Sequence, residues 1–278
     1  HDLPEFTAYE DVLADLKLFT KEQYDKDPEK VTDEIFNIYR SINIVPITYF
    51  SQRGIENKIR ELQLSIPNQV KDYTLGLGNN KGQDLIRFMF PNMMTAEPKG
   101  RGSNSLKDRF YDDKKLKRAI KICFVHREGD NPVRPSLIRT ALELVTGENI
   151  QNFKAFNARS IVEELCPMFN GRIYDYSAGY GGRMLGTCTS RMHYQYHCVE
   201  PNTQTVEYLT YLSSFLRSEI KINCTVSEEY EPEDIDLAFS SPPYFNLEKY
   251  CDEPTQCMVK YNTLDEWFEG YVEPTMQN

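Results

Sequence analysis

The tetrapeptide Ser241-Pro242-Pro243-Tyr244 carries the clearest chemical signal in the chain, because it directly follows the strand-like run Ile235–Ser240. Each proline fixes φ and lacks an N–H donor, so the turn is rigid and leaves the Ser241 hydroxyl and nearby carbonyls free to accept hydrogen bonds. Tyr244 adds an aromatic face on which a flat ring can stack. Acceptors beside an aromatic face suit a nucleobase that bears an exocyclic amine. A turn that only ends a strand is the plainer alternative.

A glycine-rich turn from Asp175 to Arg183 forms the second candidate site, between a strand-like run and a helix. Glycines let the backbone pass close to a ligand, and the N-terminus of the following helix offers it N–H groups. A nucleoside cofactor also needs an acceptor for its ribose hydroxyls at the end of the second strand, about 20 residues on. Glu200 meets this need, since it ends a strand-like run 25 residues after Asp175. A tight strand–helix turn and an ordinary surface glutamate are the alternatives.

The elements that position these sites alternate in type along the second half of the chain. Helical segments, notably 203–217, separate the strand-like runs, and this alternation predicts a parallel, doubly wound α/β sheet. The first half instead consists of helical segments broken by turns. We therefore predict a mainly helical domain over residues 1–150 and an α/β domain over residues 151–278. The strand-like runs are Arg172–Tyr176, Tyr194–Glu200, Ile220–Val226 and Ile235–Ser240.

Together these motifs resemble the S-adenosylmethionine-dependent DNA amino-methyltransferases, which methylate N4 of cytosine or N6 of adenine. The resemblance covers residues 153–278 and rests on the turn at 175–182, on Glu200 and on the Ser-Pro-Pro-Tyr motif. The turn departs from the family's usual Asp-Pro-Phe-x-Gly-x-Gly, since Tyr176 replaces proline and Tyr180 replaces a small residue. The resemblance implies a Rossmann-like methyltransferase sheet and S-adenosyl-L-methionine as the cofactor. Serine at the first position of the tetrapeptide favours N4 of cytosine over N6 of adenine.

The resemblance also implies how the reaction would run. Ser241 and the Pro242 carbonyl would accept the hydrogens of the amine, so that its lone pair aims at the sulfonium methyl group. The target base must first leave the duplex, at a cost of about a few kcal/mol that stacking on Tyr244 offsets in part. The implied catalytic residues are Ser241, Pro242, Pro243 and Tyr244. The implied cofactor-binding residues are Asp175, Ser177, Ala178, Gly179, Gly181, Gly182, Glu200, Pro201, Glu228, Phe153 and Asn157.

Charge is unevenly distributed in this chain of 278 residues, whose net charge is −10. The window 99–121 holds nine basic and three acidic residues, a net +6, whereas residues 228–278 carry −11. A polyanion would therefore meet the middle of the sequence, although a solvated helix face is the alternative. Only 57 positions separate Arg183 from Ser240, too few for a recognition domain, so target recognition is expected N-terminally or beyond Asn278. The predicted DNA-binding residues are Lys99, Arg101, Lys107, Arg109, Lys114, Lys115, Lys117, Arg118 and Lys121.

Several expectations concern what surrounds the two sites. Seven cysteines without a CxxC pair fit a reducing compartment, and we expect no metal site and no membrane span. The family's sheet has seven strands and only four are predicted, so the sheet looks C-terminally incomplete. A C-terminal remainder or a partner subunit would complete it. The cytoplasm of a bacterium or a phage-infected cell would suit an enzyme of restriction–modification or of phage genome protection.

Two other functions stay open at this point. A non-catalytic DNA-binding or assembly protein could keep a degenerate methyltransferase fold, and the unusual Asp175-Tyr176-Ser177 turn motivates that reading. A methyltransferase acting on RNA or protein is the other, because such enzymes also use a Pro-Pro-Tyr turn. Their turn usually follows asparagine, so Ser241 and the basic middle segment favour DNA.

Overall fold

A computed structural model describes residues 12–42, 46–68, 70–71, 74–75, 79–100, 102–126 and 131–278. The chain divides into two compact units, each built from two segments of sequence. His1–Ser51 and Gly102–Asn149 form the first, and Gln52–Arg101 and Ile150–Asn278 form the second. The chain passes from the first unit to the second at residues 149–150, near the predicted domain boundary. The second unit also includes the 50 residues Gln52–Arg101, which lie in the half predicted to be helical.

Helices dominate the chain up to residue 165. The helices of its described part are α1 (Lys21–Lys26), α2 (Pro28–Ile42), α3 (Gln52–Leu64), α4 (Gln83–Met89), α5 (Leu106–Tyr111), α6 (Asp113–His126), α7 (Pro135–Thr146) and α8 (Ala155–Leu165). Residues 12–16 are also helical, and Pro91–Met94 form a 3-10 turn. Between α3 and α4, β1 (Val70–Lys71) pairs antiparallel with β2 (Thr74–Leu75).

The basic window 99–121 contains two helices, α5 and most of α6. Asp112 lies between them in an extended conformation, with φ −77° and ψ 110°. Its carboxylate accepts the backbone N–H of Lys115 at 3.0 Å and so caps the first turn of α6. The capping aspartate satisfies free N–H groups at the start of α6 and so restarts the helix.

After α8 the chain alternates between strands and helices. Its elements are β3 (Arg172–Asp175), α9 (Gly182–Cys188), β4 (Gln195–Val199), α10 (Thr203–Ser213), β5 (Ile220–Asn223), β6 (Leu237–Ala238), α11 (Cys257–Lys260), α12 (Leu264–Trp267) and α13 (Glu273–Gln277). Ser227–Glu229 form a 3-10 turn and Phe268–Val272 a π turn. β3 to β6 make one parallel sheet, which confirms the predicted α/β class and its four strands.

The order of the strands in this sheet is β5-β4-β3-β6. β4 and β5 follow β3 on one side, and the chain then returns to place β6 on its other side, so the winding direction reverses between β3 and β6. Ligands of open α/β sheets bind outside the carboxyl ends of the strands at such a reversal. The register aligns Tyr174 with Ala238, so the segments that follow β3 and β6 leave the sheet side by side.

Two features are absent from the residues that the structure describes. Within them, no helix combines the length and apolar character that crossing a membrane requires. Nor do three or more His, Cys, Asp or Glu side chains of these residues gather where they could hold a metal ion.

Candidate functional site

A cavity of about 310 Å³ opens at the carboxyl edge of the parallel sheet, within the second unit. Segments that follow each of the four strands line it: Tyr176–Tyr180 after β3, Glu200–Asn202 after β4, Val226–Glu228 after β5 and Ser241–Phe245 after β6. The cavity therefore lies at the reversal of strand order, where this class of sheet binds its ligands. The glycine-rich turn and the Ser-Pro-Pro-Tyr loop, predicted as two separate sites, share it.

Most of the residues predicted from the motifs line this cavity. All four residues of the Ser241–Tyr244 loop do so, and Tyr244 keeps 51% of its surface exposed. Of the predicted cofactor residues, the lining includes Phe153, Ser177, Ala178, Gly179, Glu200, Pro201 and Glu228. It does not include Asp175, Gly181, Gly182 and Asn157. Asn157 lies within α8, whereas residues 151–153, which precede this helix, line the cavity.

Asp175 is fully buried at the end of β3 and faces the interior of the protein. Its carboxylate accepts hydrogen bonds from Arg183 Nε at 2.7 Å, from Ser240 Oγ at 2.6 Å and from the Tyr196 hydroxyl. The Ser177 N–H donates to this carboxylate as well, at 3.2 Å, and one of the donors, Arg183, also lines the cavity. Asp175 itself is not among the lining residues, and its contact with the cofactor stays a prediction. A buried carboxylate is stable only when it is paired and hydrogen-bonded in this way.

Arg183 is the interior partner that sequence reasoning missed. Its guanidinium also donates to the Ser177 carbonyl and lies 5.8 Å from the centre of the Phe153 ring. The arginine thus joins the end of the glycine-rich turn to its beginning, at Asp175. An arginine in an otherwise apolar and glycine-rich stretch was the available signal, since a buried guanidinium requires acceptors.

Two glycines of the turn permit close packing. Gly181 has φ +69°, and a Cβ atom there would lie 2.7 Å from Cζ of Phe90. A Cβ atom on Gly182 would overlap the Phe153 carbonyl oxygen. Neither glycine lines the cavity, and their contact with the cofactor stays a prediction. Without side chains, these glycines allow the start of α9 to pack directly against Phe90 and the Phe153 backbone.

Glu200 presents a buried carboxylate to the cavity. Its Oε2 accepts the Gly179 N–H at 2.8 Å and its Oε1 accepts the Asn202 N–H at 2.9 Å. Burial raises the pKa of Glu200 to about 7, although the two N–H groups act in the opposite direction. Each oxygen retains a lone pair for a further donor, so the carboxylate is suited to hold a pair of hydroxyl groups.

The Ser-Pro-Pro-Tyr loop is bonded directly to the glycine-rich turn. Ser177 Oγ donates to the Ser241 carbonyl at 2.7 Å, and the Ser177 N–H donates to Ser240 Oγ at 3.1 Å. Sequence reasoning predicted that Ser177 contacts the cofactor and did not foresee this link. The link depends on the parallel pairing of β3 with β6, which brings together residues 64 positions apart.

The C-terminal segment supplies a wall of the cavity that sequence reasoning also missed. Glu228, predicted at the adenine end of the cofactor, accepts from Lys260 Nζ at 2.7 Å and from the Tyr261 hydroxyl at 2.9 Å. Both bonds fall on the same oxygen, Oε1. Glu228 thereby anchors this segment while still lining the cavity. The wall residues are Glu248, Tyr250, Cys251, Thr255, Gln256, Cys257, Met258 and Tyr271.

The basic window lies mostly in the first unit, on α5 and α6. Arg109 is buried, and its guanidinium donates to the Asn104 carbonyl at 2.9 Å and to the Glu148 carbonyl. Its predicted contact with DNA is therefore corrected to a role inside the unit. Arg101 lies outside the described residues, and Lys99 belongs to the second unit.

Acidic side chains neutralise part of the remaining basic window. Lys107, Lys114 and Arg118 are exposed, and none of them pairs with a carboxylate of the described ranges. The positive charge open to a partner is thus smaller than the sequence window indicates. The paired lysines are Lys115 with Asp112 at 3.5 Å, Lys117 with Asp33 at 2.7 Å and Lys121 with Glu29 at 2.5 Å.

Comparison with known proteins adds no assignment to this geometry. No protein-family model matches the chain, and neither a curated protein nor a solved structure matches it. A functional conclusion therefore rests on the cavity and its chemistry.

Proposed function

We propose that this chain is an S-adenosylmethionine-dependent DNA amino-methyltransferase, with N4 of cytosine favoured over N6 of adenine. One observation carries the proposal: the glycine-rich turn, Glu200 and the Ser-Pro-Pro-Tyr loop open onto the same cavity. A nucleoside cofactor held by the first two would face a base held by the third. Alignment of two reactants in this manner removes several kcal/mol from a barrier, of the order that well-oriented intramolecular reactions gain.

The polar groups of the cavity fit a nucleoside cofactor. Glu200 offers two carboxylate oxygens to the ribose hydroxyls, and Gly179 brings the backbone close beside it. The Tyr180 hydroxyl and Gln256 Nε2 are buried and have no hydrogen-bond partner among the described residues. Buried polar groups without partners are costly, so a polar ligand that reaches them is stabilised. The volume of the cavity lies near the lower end of the range of about 300–1,000 Å³ for small-molecule sites.

The loop after β6 supplies the chemistry at the base. When bound, S-adenosylmethionine supplies a methyl group on a positively charged sulfur. Ser241 Oγ and the Pro242 carbonyl accept the two hydrogens of the exocyclic amine, which reduces delocalisation of its lone pair into the ring. Tyr244 is half exposed at the mouth of the cavity, where its ring can stack on a base that has left the duplex.

DNA is the partner we propose, and the exposed cations of the first unit support it. Lys107, Lys114 and Arg118 offer positive charge that no carboxylate of the described ranges neutralises. Contacts from lysine and arginine to phosphate set the position of a protein on a duplex without reading its sequence.

A labelled methyl-transfer assay tests the proposed function. The full chain is incubated with methyl-labelled S-adenosylmethionine and DNA, the DNA is digested to nucleosides, and the labelled base is identified. The Tyr244→Ala variant should bind S-adenosylhomocysteine as the wild type does and lose methyl transfer, because the stacking face is gone. Tyr211→Ala, which removes an exposed tyrosine outside the cavity, is the matched control. Full methyl transfer by Tyr244→Ala would refute the proposed stacking of the target base on the loop.

A non-catalytic DNA-binding protein is the second candidate. The occupation of Glu228 by Lys260 and Tyr261 favours it, because that carboxylate is already bonded within the chain. Calorimetry with S-adenosylmethionine separates the two functions. Binding in the micromolar range supports the enzyme, whereas no heat at millimolar ligand supports the non-catalytic protein.

A further inference from the structure

Two serine hydroxyls connect the glycine-rich turn to the Ser-Pro-Pro-Tyr loop. Ser240 Oγ lies 2.6 Å from Asp175 Oδ1, Ser177 Oγ lies 2.7 Å from the Ser241 carbonyl oxygen, and the two hydroxyl oxygens lie 3.0 Å apart. The Ser177 N–H donates to Ser240 Oγ at 3.1 Å. These four residues form one connected cluster, which we call the serine clamp.

The number of protons available determines how the clamp is bonded. A hydroxyl has one proton to donate, and neither a carboxylate nor a carbonyl has any. The proton of Ser240 is therefore required by Asp175, and the proton of Ser177 by the Ser241 carbonyl. The O–H of Ser177 then serves the segment that follows β6, whereas its N–H is shared between Ser240 Oγ at 3.1 Å and Asp175 Oδ1 at 3.2 Å.

The two prolines make the loop depend on this bond. Pro242 and Pro243 have no N–H, so the backbone between Ser241 and Tyr244 has fewer donors with which to fix itself. The Ser241 carbonyl belongs to the peptide plane that leads into Pro242, whose φ is restricted by its ring. A hydrogen bond that holds this plane therefore also limits the direction of the next carbonyl, that of Pro242.

We propose that Ser177 is a positioning residue, whose hydroxyl sets the Ser-Pro-Pro-Tyr loop relative to the glycine-rich turn. The inference rests on the proposed function for its catalytic consequence, which is alignment of the amine acceptors with the methyl group of the cofactor. The hydroxyl of Ser177 is committed to the loop, so its main effect falls on the target side of the cavity. The cofactor side keeps Glu200 and the backbone of Gly179.

Amide hydrogen exchange on the full chain tests the role of the hydroxyl without any ligand. The test compares Ser177→Thr with Ser177→Val, because threonine and valine have the same shape and differ in the hydroxyl group. The reporters are the amides of residue 241 and of residues 244–247. Ser214→Val is the control, since it removes a serine hydroxyl that donates to the Tyr211 carbonyl at 2.7 Å outside the cavity.

We expect the loop amides to exchange about 2- to 12-fold faster in Ser177→Val than in Ser177→Thr, the range that one net hydrogen bond provides. Amides of β3 should exchange equally in the pair, and the control should leave the loop unchanged. Equal loop exchange in the two variants overturns the proposal. If Ser177→Val fails to fold, Ser177→Ala, which adds no bulk, is compared with the wild type and decides by the same criterion.

The kinetics of methyl transfer give a second readout, which would not change if the role of Ser177 were only structural. In Ser177→Val, kcat should fall by a larger factor than KM for S-adenosylmethionine rises, and Ser177→Thr should restore kcat. A rise in KM with kcat unchanged overturns the assigned role, because it places the hydroxyl on the cofactor. A wild-type chain that transfers no methyl group refutes the proposed function, and the exchange comparison still decides whether Ser177 holds the loop.

Discussion

Replacing Glu200 by glutamine should remove a large part of the pH dependence of stability between pH 5 and pH 8. Burial raises the pKa of this carboxyl group from 4.5 to about 7 in the folded protein. In the unfolded chain the group ionises near pH 4.5, so the unfolded state releases its proton first as the pH rises. The stabilising contribution of Glu200 is therefore complete below pH 4.5 and is lost as the pH rises through 7.

The size of the effect follows from the two pKa values. Each pH unit between 4.5 and about 7 lowers the free energy of unfolding by about 1.4 kcal/mol through this group. The total loss is about 3 kcal/mol, a large share of the roughly 5–15 kcal/mol that stabilises a typical protein. Burial also raises the pKa of Glu248 and lowers that of His197, but both groups are present in the wild type and in the variant.

Urea unfolding at pH 5, 6, 7 and 8 measures this difference. Between pH 5 and pH 8 the free energy of unfolding of the wild type should fall by about 2 to 3 kcal/mol more than that of Glu200→Gln. This comparison does not depend on how far the two proteins differ in stability at pH 5. Glu253→Gln, which alters a partly exposed glutamate bonded to Thr203, serves as the control and should follow the wild type. Parallel pH profiles for the wild type and Glu200→Gln would refute the reasoning, since they would mean that Glu200 titrates alike in both states.

Two further predictions concern buried and exposed cations. Arg183→Met leaves the Asp175 carboxylate buried without its cation and should lower the free energy of unfolding by about 3–5 kcal/mol, whereas Arg191→Met at an exposed position should change it little. An equal effect of both changes in urea unfolding would contradict the buried pair. For DNA binding, two triple alanine variants remove the same amount of charge. The variant that lacks the exposed cations should lose about three units from the slope of the logarithm of the binding constant against the logarithm of the salt concentration. The variant that lacks the paired cations should lose clearly less. Equal salt slopes in a fluorescence titration would mean that pairing does not decide which cations meet phosphate. The exposed set is Lys107, Lys114 and Arg118, and the paired set is Lys115, Lys117 and Lys121.

The sequence was sufficient for the elements whose pattern is local. The four strands and the glycine-rich turn follow from apolar runs and glycine spacing within short windows, and the parallel sheet confirms the strand prediction. The break at Asp112 is also local, since this aspartate caps the N–H of Lys115 three positions on, and such a cap can be predicted from the sequence.

What escaped the sequence depends on contacts between distant segments. Lys121 and its partner Glu29 are 92 positions apart, so the basic window could not reveal that acids of α2 neutralise it. The position of Asp175 in the motif does not reveal that Arg183, Ser240 and Tyr196 donate to its carboxylate. The C-terminal wall of the cavity has no motif at all, and only packing brings Gln256 and Met258 to the cavity.

The position of β6 in the sheet has a consequence for the order in which the protein folds. β3 pairs with β4 across a short connection. Its other neighbour, β6, follows β4 and β5 in the sequence and pairs with β3 at Ile173 and Leu237. Contacts of such high sequence separation form slowly, because a long loop must close before they are rewarded. We therefore expect the cavity to be completed late in refolding, so that ligand binding is regained after the helical signal of the chain.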